Sequence, residues 1–280
     1  MPIKPTIEWH VAGACNYDCS YCIQSTRYRQ GKPEAEQIDC ALNFFASLPG
    51  VWEIKCSGGE AFAHKLFIEQ IVPGLMDWTP HHISVLTNFS ASRDELERFV
   101  SLTRDRLQVF SASLHLEFTE LEAFADKAQW FASLLDAQTR FVINQVVLPG
   151  QEHEALTCRH ELEGRGLKWF PQLFKTGGGV ADYPNKELLL QVIGRAPTTR
   201  EANTAPSWKG HLCWAGTKYF TVDKDGEAWS CRTAKRFKQG RLGNIYHSDV
   251  TLWPTASYCP YEICPCTVPA NRGIIAGVRL

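Results

Sequence analysis

The first two thirds of the chain alternate between strand-like and helix-like stretches. Short apolar or alternating stretches typical of strands lie at 6–12, 52–56, 82–87, 107–114, 140–148 and 167–174. Between them, apolar residues recur at helical spacing over 34–48, 66–76, 92–102, 120–135 and 153–163. Ser92 is predicted to cap the third of these helices, because it precedes Asp94 and Glu95.

Six strand–helix units predict a parallel sheet with right-handed crossovers. Because six units do not complete an eight-stranded barrel, the expected fold class is α/β, a partial (β/α)6 TIM-type barrel. Ligands of such folds sit at the carboxyl ends of the strands. The chemistry is therefore sought at those ends.

The pattern breaks after Lys175. Segment 176–184 holds three consecutive glycines and a proline and is predicted to be a loop, 187–193 has helical spacing, and 195–209 reads as a linker. Short strands, glycine turns and five cysteines follow from Gly210. We therefore expect three parts: a barrel over 1–185, a linker over 186–209, and a small cysteine-rich β-hairpin/α domain over 210–280.

Composition and charge narrow the class of protein. The 280 residues are 44% hydrophobic and 21% charged, as in ordinary globular proteins. A formal net charge of −1 gives no long-range attraction to nucleic acid or to an anionic membrane. There is no apolar run of membrane-spanning length and no apolar segment at the N-terminus typical of a secretory signal. These features favour a cytoplasmic protein with no nucleic-acid or membrane partner.

Cysteine is the unusual residue type. The chain has 11 cysteines, an odd number, and eight of them fall into two groups. Without an export signal, thiolate ligation of metal is favoured over a disulfide framework. The other three, Cys40, Cys56 and Cys158, lie in predicted helices and a strand and are interpreted as small core residues.

The first group is Cys15, Cys19 and Cys22, a Cys-x3-Cys-x2-Cys run directly after the first strand. Three thiolates in a tight loop can hold three irons of a 4Fe–4S cluster. The fourth iron then has an open coordination position, which a catalytic site needs. The alternative is a structural zinc site with a distant fourth ligand.

This run resembles the motif of the radical S-adenosylmethionine (SAM) superfamily, in which an aromatic residue precedes the last cysteine, as Tyr21 does here. The resemblance covers about residues 6–175. It implies that SAM chelates the open iron through its amino and carboxylate groups. It also implies that the reduced cluster cleaves SAM to methionine and a 5′-deoxyadenosyl radical, which abstracts a hydrogen atom from the substrate.

Residues at the later strand ends extend the resemblance. Gly58, Gly59 and Glu60 match the family's Gly-Gly-Glu motif, which contacts the amino group of SAM. Polar residues at the ends of later strands contact the ribose and carboxylate of SAM in the family. The candidates for these contacts, from the third, fourth and fifth strands, are Asn88, Ser113 and Asn144. Alternatively, the glycines form an ordinary strand–helix turn and the polar residues only line the barrel mouth.

No catalytic residue stands out in the sequence. His115 is a candidate substrate partner or proton shuttle, or simply a hydrogen-bonded histidine of the barrel. Gln172 and Lys175 end the sixth strand and are candidates to face the substrate. Arg195, Arg200 and Lys209 border the predicted barrel mouth, where they grip an anionic substrate or form a solvated face.

The second group comprises Cys213, Cys231, Cys259, Cys264 and Cys266. Alternating residues around an Asp-Gly turn predict a hairpin over 219–229, which brings Cys213 and Cys231 toward each other. The pattern resembles the auxiliary-cluster extension of radical SAM enzymes, the short twitch form or the longer SPASM form. This resemblance implies a second 4Fe–4S cluster held by four of the five cysteines. Cys264 and Cys266 are favoured over Cys259, and a four-cysteine zinc site is the alternative.

The resemblance implies an oxidoreductase-type enzyme. The auxiliary cluster takes one electron from a substrate radical, and the net reaction is oxidation of a small sugar-like or amino-acid-like molecule. One alternative is a maturase that crosslinks, epimerises or oxidises a ribosomally made peptide. The other is a zinc-binding module without enzyme activity. The expected partners are the small-molecule or peptide substrate and an electron donor such as flavodoxin or ferredoxin.

Overall fold

The protein is described here from a computed structural model, which covers residues 2–176, 179–194, 208–262 and 267–278. Six parallel strands form the barrel part of the sheet: β1 (Thr6–Ala12), β2 (Glu53–Gly58), β3 (His82–Thr87), β4 (Leu107–Leu114), β5 (Arg140–Val147) and β6 (Trp169–Leu173). Each pairs in parallel with the next in chain order. The predicted α/β class and partial barrel are confirmed.

Helices connect these strands and cover one face of the sheet. They are α1 (Ala35–Ala46), α2 (Val72–Trp78), α3 (Arg93–Thr103), α4 (Leu121–Ala132) and α5 (Glu152–Gly164). The predicted helix over 66–76 differs from the structure, because its first turn, Phe67–Ile71, is π-helical and α2 continues to Trp78. Ser92 caps α3 as predicted: its hydroxyl accepts the Glu95 N–H, and the Glu95 carboxylate accepts the Ser92 N–H.

Alternate residues of each strand face opposite sides of the sheet. In β1, Ile7, Trp9 and Val11 are buried in the apolar core that packs against the helices. The intervening Glu8 and His10 therefore lie on the other face, which we call the inner face of the sheet. Its polar side chains line the interior of the partial barrel.

The rest of the described chain forms shorter elements. They are β7 (Lys175–Thr176), β8 (Gly179–Val180), α6 (Lys186–Ile193), β9 (Leu212–Cys213), β10 (Tyr219–Val222), β11 (Glu227–Trp229), α7 (Arg232–Arg236), β12 (Arg241–Asn244), β13 (Ser257–Tyr258) and α8 (Thr267–Asn271). The loop predicted over 176–184 is corrected in part, because β7 and β8 form an antiparallel ribbon there. Helix α6 occupies the first part of the predicted linker, whereas 195–207 lie outside the described residues.

The predicted hairpin is formed by β10 and β11, which pair antiparallel around the Asp-Gly turn. Strand β10 also pairs in parallel with β1. In the described part of the chain the main sheet therefore has nine strands, in the order β12-β11-β10-β1-β2-β3-β4-β5-β6. A second, smaller apolar cluster lies among residues 213–278. The predicted boundaries between barrel, linker and second domain stay a prediction.

No helix within the described ranges has both the length and the apolar character to cross a membrane.

Candidate active site

The three cysteines of the first group lie in the loop after β1. Cys15 and Cys19 are partly buried and Cys22 is exposed. Burial raises the pKa of the Cys19 thiol to about 11, and the negative charges of Cys15, Glu117 and Cys22 add to it. Burial also raises the pKa of Cys15, and Glu60 and Cys22 raise it further. Cys15 and Cys22 thus both lie close enough to Cys19 to affect the pKa of its thiol.

The chemistry of this donor set, three thiolates in one loop, fits an iron–sulfur cluster. Within the described ranges, no three His, Cys, Asp or Glu side chains are grouped to hold one metal ion. A 4Fe–4S cluster does not require such convergence, because each thiolate binds a different iron. Cys15, Cys19 and Cys22 would hold three of its irons.

The end of β2 packs directly against this loop. The Gly59 N–H donates to the Ala12 carbonyl over 2.8 Å, and the Glu60 N–H donates to the Ala14 carbonyl over 2.9 Å. A Cβ atom on Gly58 or Gly59 would overlap the backbone of Ala12 or Ala14, and Gly58 has a φ of +138°. The two glycines are required because the β2 turn and the cysteine loop approach at backbone distance.

The Glu60 carboxylate faces away from solvent. It is fully buried and accepts from the Phe62 N–H at 3.0 Å, the Thr87 hydroxyl at 2.7 Å and the Asn88 N–H at 2.6 Å. Burial raises the pKa of this carboxyl, which its three donors partly offset. These contacts join the end of β2 to the end of β3. The contact with SAM predicted for Glu60 stays a prediction.

Asn88 joins the end of β3 to the cysteine loop. Its Nδ2 donates to Asn16 Oδ1 over 2.8 Å and lies 3.9 Å from the sulfur of Cys15. The Asn16 amide in turn donates to the Ser90 hydroxyl over 2.9 Å. The sequence predicted Asn88 as a site residue, whereas Asn16 and Ser90 were missed because nothing in their local pattern marks them.

His115 follows β4 and lies against the same loop. Its Nδ1 lies 2.8 Å from the Tyr21 hydroxyl and 3.6 Å from the Cys19 sulfur, and its ring stacks on Tyr21. Burial lowers the pKa of His115 to about 4, against a smaller opposing effect of Glu117. The imidazole is therefore neutral near pH 7. Glu117 accepts from both the N–H and the hydroxyl of Ser20, which fastens the middle of the loop.

The ends of β4, β5 and β6 present a row of amides and hydroxyls on the inner face. Asn144 Nδ2 donates to the Ser111 hydroxyl, and Gln172 Nε2 donates to Asn144 Oδ1 over 3.3 Å. Ser113 is the register partner of Asn144 across β4 and β5. The structure thus places Ser113, Asn144 and Gln172 side by side. Lys175 lies further along, exposed in the β7–β8 ribbon.

Three cysteines of the second group lie in one region. Cys213 is buried within the smaller apolar cluster, and Cys231 and Cys259 pack against it. Burial raises the pKa of the Tyr261 hydroxyl, and the charges of Cys231 and Cys259 raise it further. The Cys231 sulfur also accepts the Ala234 N–H at 3.2 Å as the N-cap of α7. Soft thiolates on converging elements fit an iron–sulfur cluster or zinc. Cys264 and Cys266 lie outside the described residues.

The scattered cysteines lie in or beside the core. Cys56 and Cys158 are buried, and Cys40 is half-buried on α1. Burial raises the pKa of the Cys56 thiol, and the Cys158 sulfur accepts from the Gln145 amide at 3.5 Å. These contacts agree with their interpretation as core residues.

Of the basic residues predicted to border the barrel mouth, Lys209 pairs with Glu262, whereas Arg195 and Arg200 lie outside the described residues.

Comparison by sequence found no match to this chain among protein families, and none among curated proteins. Comparison by structure found several radical SAM enzymes. BtrN in complex with AdoMet and 2-DOIA matches with a TM-score of 0.51 and 16% identity, over 89% of this chain and 81% of BtrN. For anSMEcpe with bound AdoMet, the TM-score is 0.57 and the identity 15%, over 88% of this chain and 78% of anSMEcpe.

Streptococcus suis SuiB bound to S-adenosylmethionine matches with a TM-score of 0.62 and 11% identity, over 88% of this chain. The match covers 64% of SuiB, so the chain spans less than two thirds of that protein. SuiB bound to precursor peptide SuiA gives the same TM-score at 10% identity. The chain has the fold of the radical SAM enzymes, as its cysteine motif and strand order predicted.

Proposed function

We propose that this protein is a radical SAM enzyme that abstracts a hydrogen atom from a small molecule and completes a net oxidation. The convergence of four strand ends on the Cys15–Cys22 loop carries the proposal. The ends of β2, β3 and β4 contact the loop that extends β1, through the Glu60 N–H, Asn88 and His115. An exposed structural metal loop has no need of such extensive support. A catalytic cluster would need it, because the residues that hold a catalytic group must themselves be fixed in position by supporting contacts.

The residues of the cysteine loop and of the neighbouring strand ends have separate proposed roles. Cys15, Cys19 and Cys22 would hold the cluster, and Gly58 and Gly59 let the turn after β2 pack at backbone distance against the start of the cysteine loop. When bound, the cluster supplies the electron that cleaves SAM to methionine and a 5′-deoxyadenosyl radical. Asn88, Ser113 and Asn144 lie at neighbouring strand ends, where they can donate to the ribose and carboxylate of SAM.

His115 holds the loop rather than transferring a proton. Its neutral ring packs against Tyr21 and reaches the Cys19 sulfur through the same nitrogen. This contact fixes the aromatic residue of the motif next to the cluster ligands. Gln172 and Lys175 remain proposed substrate-facing residues.

The second cysteine group supports oxidation as the outcome. Loss of two hydrogens from a substrate requires removal of a hydrogen atom, a proton and one electron. When bound at Cys213, Cys231 and further cysteines of the group, a second 4Fe–4S cluster supplies the acceptor for that electron. A ferredoxin or flavodoxin supplies electrons to the first cluster.

Reconstitution tests this proposal. The protein is purified anaerobically, supplied with iron and sulfide, and assayed for bound iron and for 5′-deoxyadenosine formed from SAM with dithionite. We expect about eight irons per chain, the content of two 4Fe–4S clusters, and SAM cleavage. A colourless protein that binds zinc and leaves SAM intact contradicts the proposal.

Peptide maturation is the second candidate function. It is favoured by the structural match to SuiB, which has been solved with a precursor peptide and has the higher TM-score of 0.62. Mass spectrometry of products separates the two functions. A small molecule lighter by two hydrogens supports oxidation, whereas a crosslinked or epimerised peptide supports maturation.

A further inference from the structure

Lys55 occupies the middle of β2 on the inner face of the sheet. Its neighbours in sequence, Ile54 and Cys56, belong to the apolar core on the other face. The register places Lys55 beside Glu8 of β1 and Ser84 of β3. Lys55 lies three residues before Gly58. It is therefore about 10 Å along the strand from the turn at Gly58 and Gly59.

The charged groups around Lys55 are Glu8, Glu53, Arg232 and Arg272. Both carboxylates are already neutralised by the arginines. Glu8 accepts from Arg232 and from the Tyr219 hydroxyl. Glu53 accepts from Arg272 through two bonds of 2.7 Å and from the Ser84 hydroxyl at 2.6 Å.

Among these described charged groups, Lys55 is therefore the surplus cation. Within the described residues its ammonium has no hydrogen bond and no ion pair. Burial lowers its pKa, and Glu8 and Glu53 only partly offset this effect. Buried charges in proteins are normally paired, because desolvation of an isolated charge is costly. Lys55 is partly buried on the inner face of the barrel sheet, and ligands of such folds enter from the carboxyl ends of the strands. An unpaired lysine at this position indicates that its partner arrives with a ligand.

Two buried hydroxyls near Lys55 also lack a hydrogen-bond partner within the described residues. Ser57 lies on the inner face two residues after Lys55, and Thr221 is the register partner of Glu8 on β10. They are 4% and 6% exposed, and within the described residues both side-chain oxygens are buried without a hydrogen-bond partner. Unpaired polar groups of this kind are rare and call for an explanation.

We propose that the substrate carries an anionic group, a carboxylate or a phosphate, that binds the Lys55 ammonium on the inner face of the sheet. This inference rests on the proposed function and narrows its substrate class. The anionic end sits about 10 Å below the turn that approaches SAM. The reactive carbon then lies at the carboxyl ends of the strands. Neutral sugars and alcohols lack the group that completes this site.

Anion binding is measured on the anaerobically reconstituted protein by thermal unfolding. Sodium phosphate and sodium acetate are titrated at constant ionic strength, with sodium chloride as the balance. We expect a saturable rise in Tm of about 3 °C. The anion with the lower half-saturating concentration identifies the group as phosphate or carboxylate. If neither raises the Tm of the wild type above the chloride baseline, the proposal is overturned.

Variants assign the effect to Lys55. Lys55→Met should abolish the rise in Tm, Lys55→Arg should keep part of it, and Lys65→Met is the control, because Lys65 is exposed and pairs with Glu69. Lys55→Gln replaces Lys55→Met if the latter does not fold. An unchanged response in Lys55→Met overturns the proposal. Formation of 5′-deoxyadenosine is measured on the same samples, so that failure of the anion site and failure of the radical SAM function are distinguished.

Discussion

The Nδ1 atom of His115 lies 2.8 Å from the Tyr21 hydroxyl and 3.6 Å from the Cys19 sulfur. One nitrogen of a neutral ring thus reaches both the aromatic residue of the motif and a cluster ligand. The contact joins two segments that are 94 residues apart in sequence. It couples the end of β4 to the position of the cysteine loop.

Tyr21→Phe should weaken this coupling without changing the ligands. Loss of one hydrogen bond that leaves a buried nitrogen unpaired costs about 1 kcal/mol or more. The rate at which a chelator removes iron from the reconstituted protein should therefore rise about fivefold. Tyr17→Phe is the control, since Tyr17 stacks on Phe118 and its hydroxyl has no partner within the described residues. Equal rates for both variants would show that the His115 contact does not hold the loop.

Gly59→Ala should damage the site through sterics alone. The new Cβ would overlap the backbone of Gly13 and Ala14, so the two hydrogen bonds between β2 and the cysteine loop must lengthen. Overpacking of this kind costs about 1–3 kcal/mol. Urea unfolding measures the loss, and bound iron should fall with it. Gly164→Ala, at a position with open space around it, should leave both unchanged or slightly improved.

The sequence predicted β1, β3 and β4 with their observed bounds, because alternation of apolar and polar residues fixes strands locally. It singled out the turn after β2 for a different reason, the match of Gly58, Gly59 and Glu60 to a Gly-Gly-Glu motif. It did not predict that β10 pairs with β1, because a parallel pair formed by segments over 200 residues apart leaves no local pattern. The β7–β8 ribbon was missed because consecutive glycines carry no side-chain signal.

Some residues of the candidate site could likewise be predicted from the sequence, and others could not. Cys15, Cys19, Cys22, Asn88 and His115 could be found because each follows a predicted strand end. The contacts of Ser20 with Glu117, and of Gln24 with the Gly58 carbonyl, depend on how the loop folds back over the sheet. The burial of Glu60 beneath that loop likewise follows from packing, which a one-dimensional pattern does not contain.

Acidification should destabilise the protein through His10. Its ring lies 2.6 Å from the Tyr28 hydroxyl, and burial, with Arg232 and Lys235 nearby, lowers its pKa to about 3. The unfolded chain binds this proton below pH 6.5 while the folded protein does not. Stability is therefore present above pH 6.5 and falls as the pH drops toward 3.

The effect of His10 is expected to be roughly 1–3 kcal/mol between pH 6.5 and 4. His10→Gln should flatten the pH dependence of urea unfolding over that interval. His153→Phe, which changes an exposed histidine, should keep the wild-type slope. A wild-type slope in His10→Gln would refute the assignment.

Cys231→Ala should separate SAM cleavage from substrate oxidation. The variant keeps all three ligands of the first cluster, so 5′-deoxyadenosine formation without substrate should remain within about twofold of the wild type. Oxidised product should fall at least tenfold, because the electron acceptor is lost. Cys40→Ala, which changes a half-buried helical cysteine, serves as the control. Normal product formation by Cys231→Ala would show that the second cysteine group does not hold the electron acceptor.

The central claim is that Cys15, Cys19 and Cys22 hold a cluster with one iron open to SAM. Electron paramagnetic resonance of the dithionite-reduced protein, recorded with and without SAM, tests it most directly. We predict a 4Fe–4S signal whose g values shift on addition of SAM in the wild type and in Cys231→Ala, and no such shift in Cys19→Ala. A wild-type signal that SAM leaves unchanged would contradict the account.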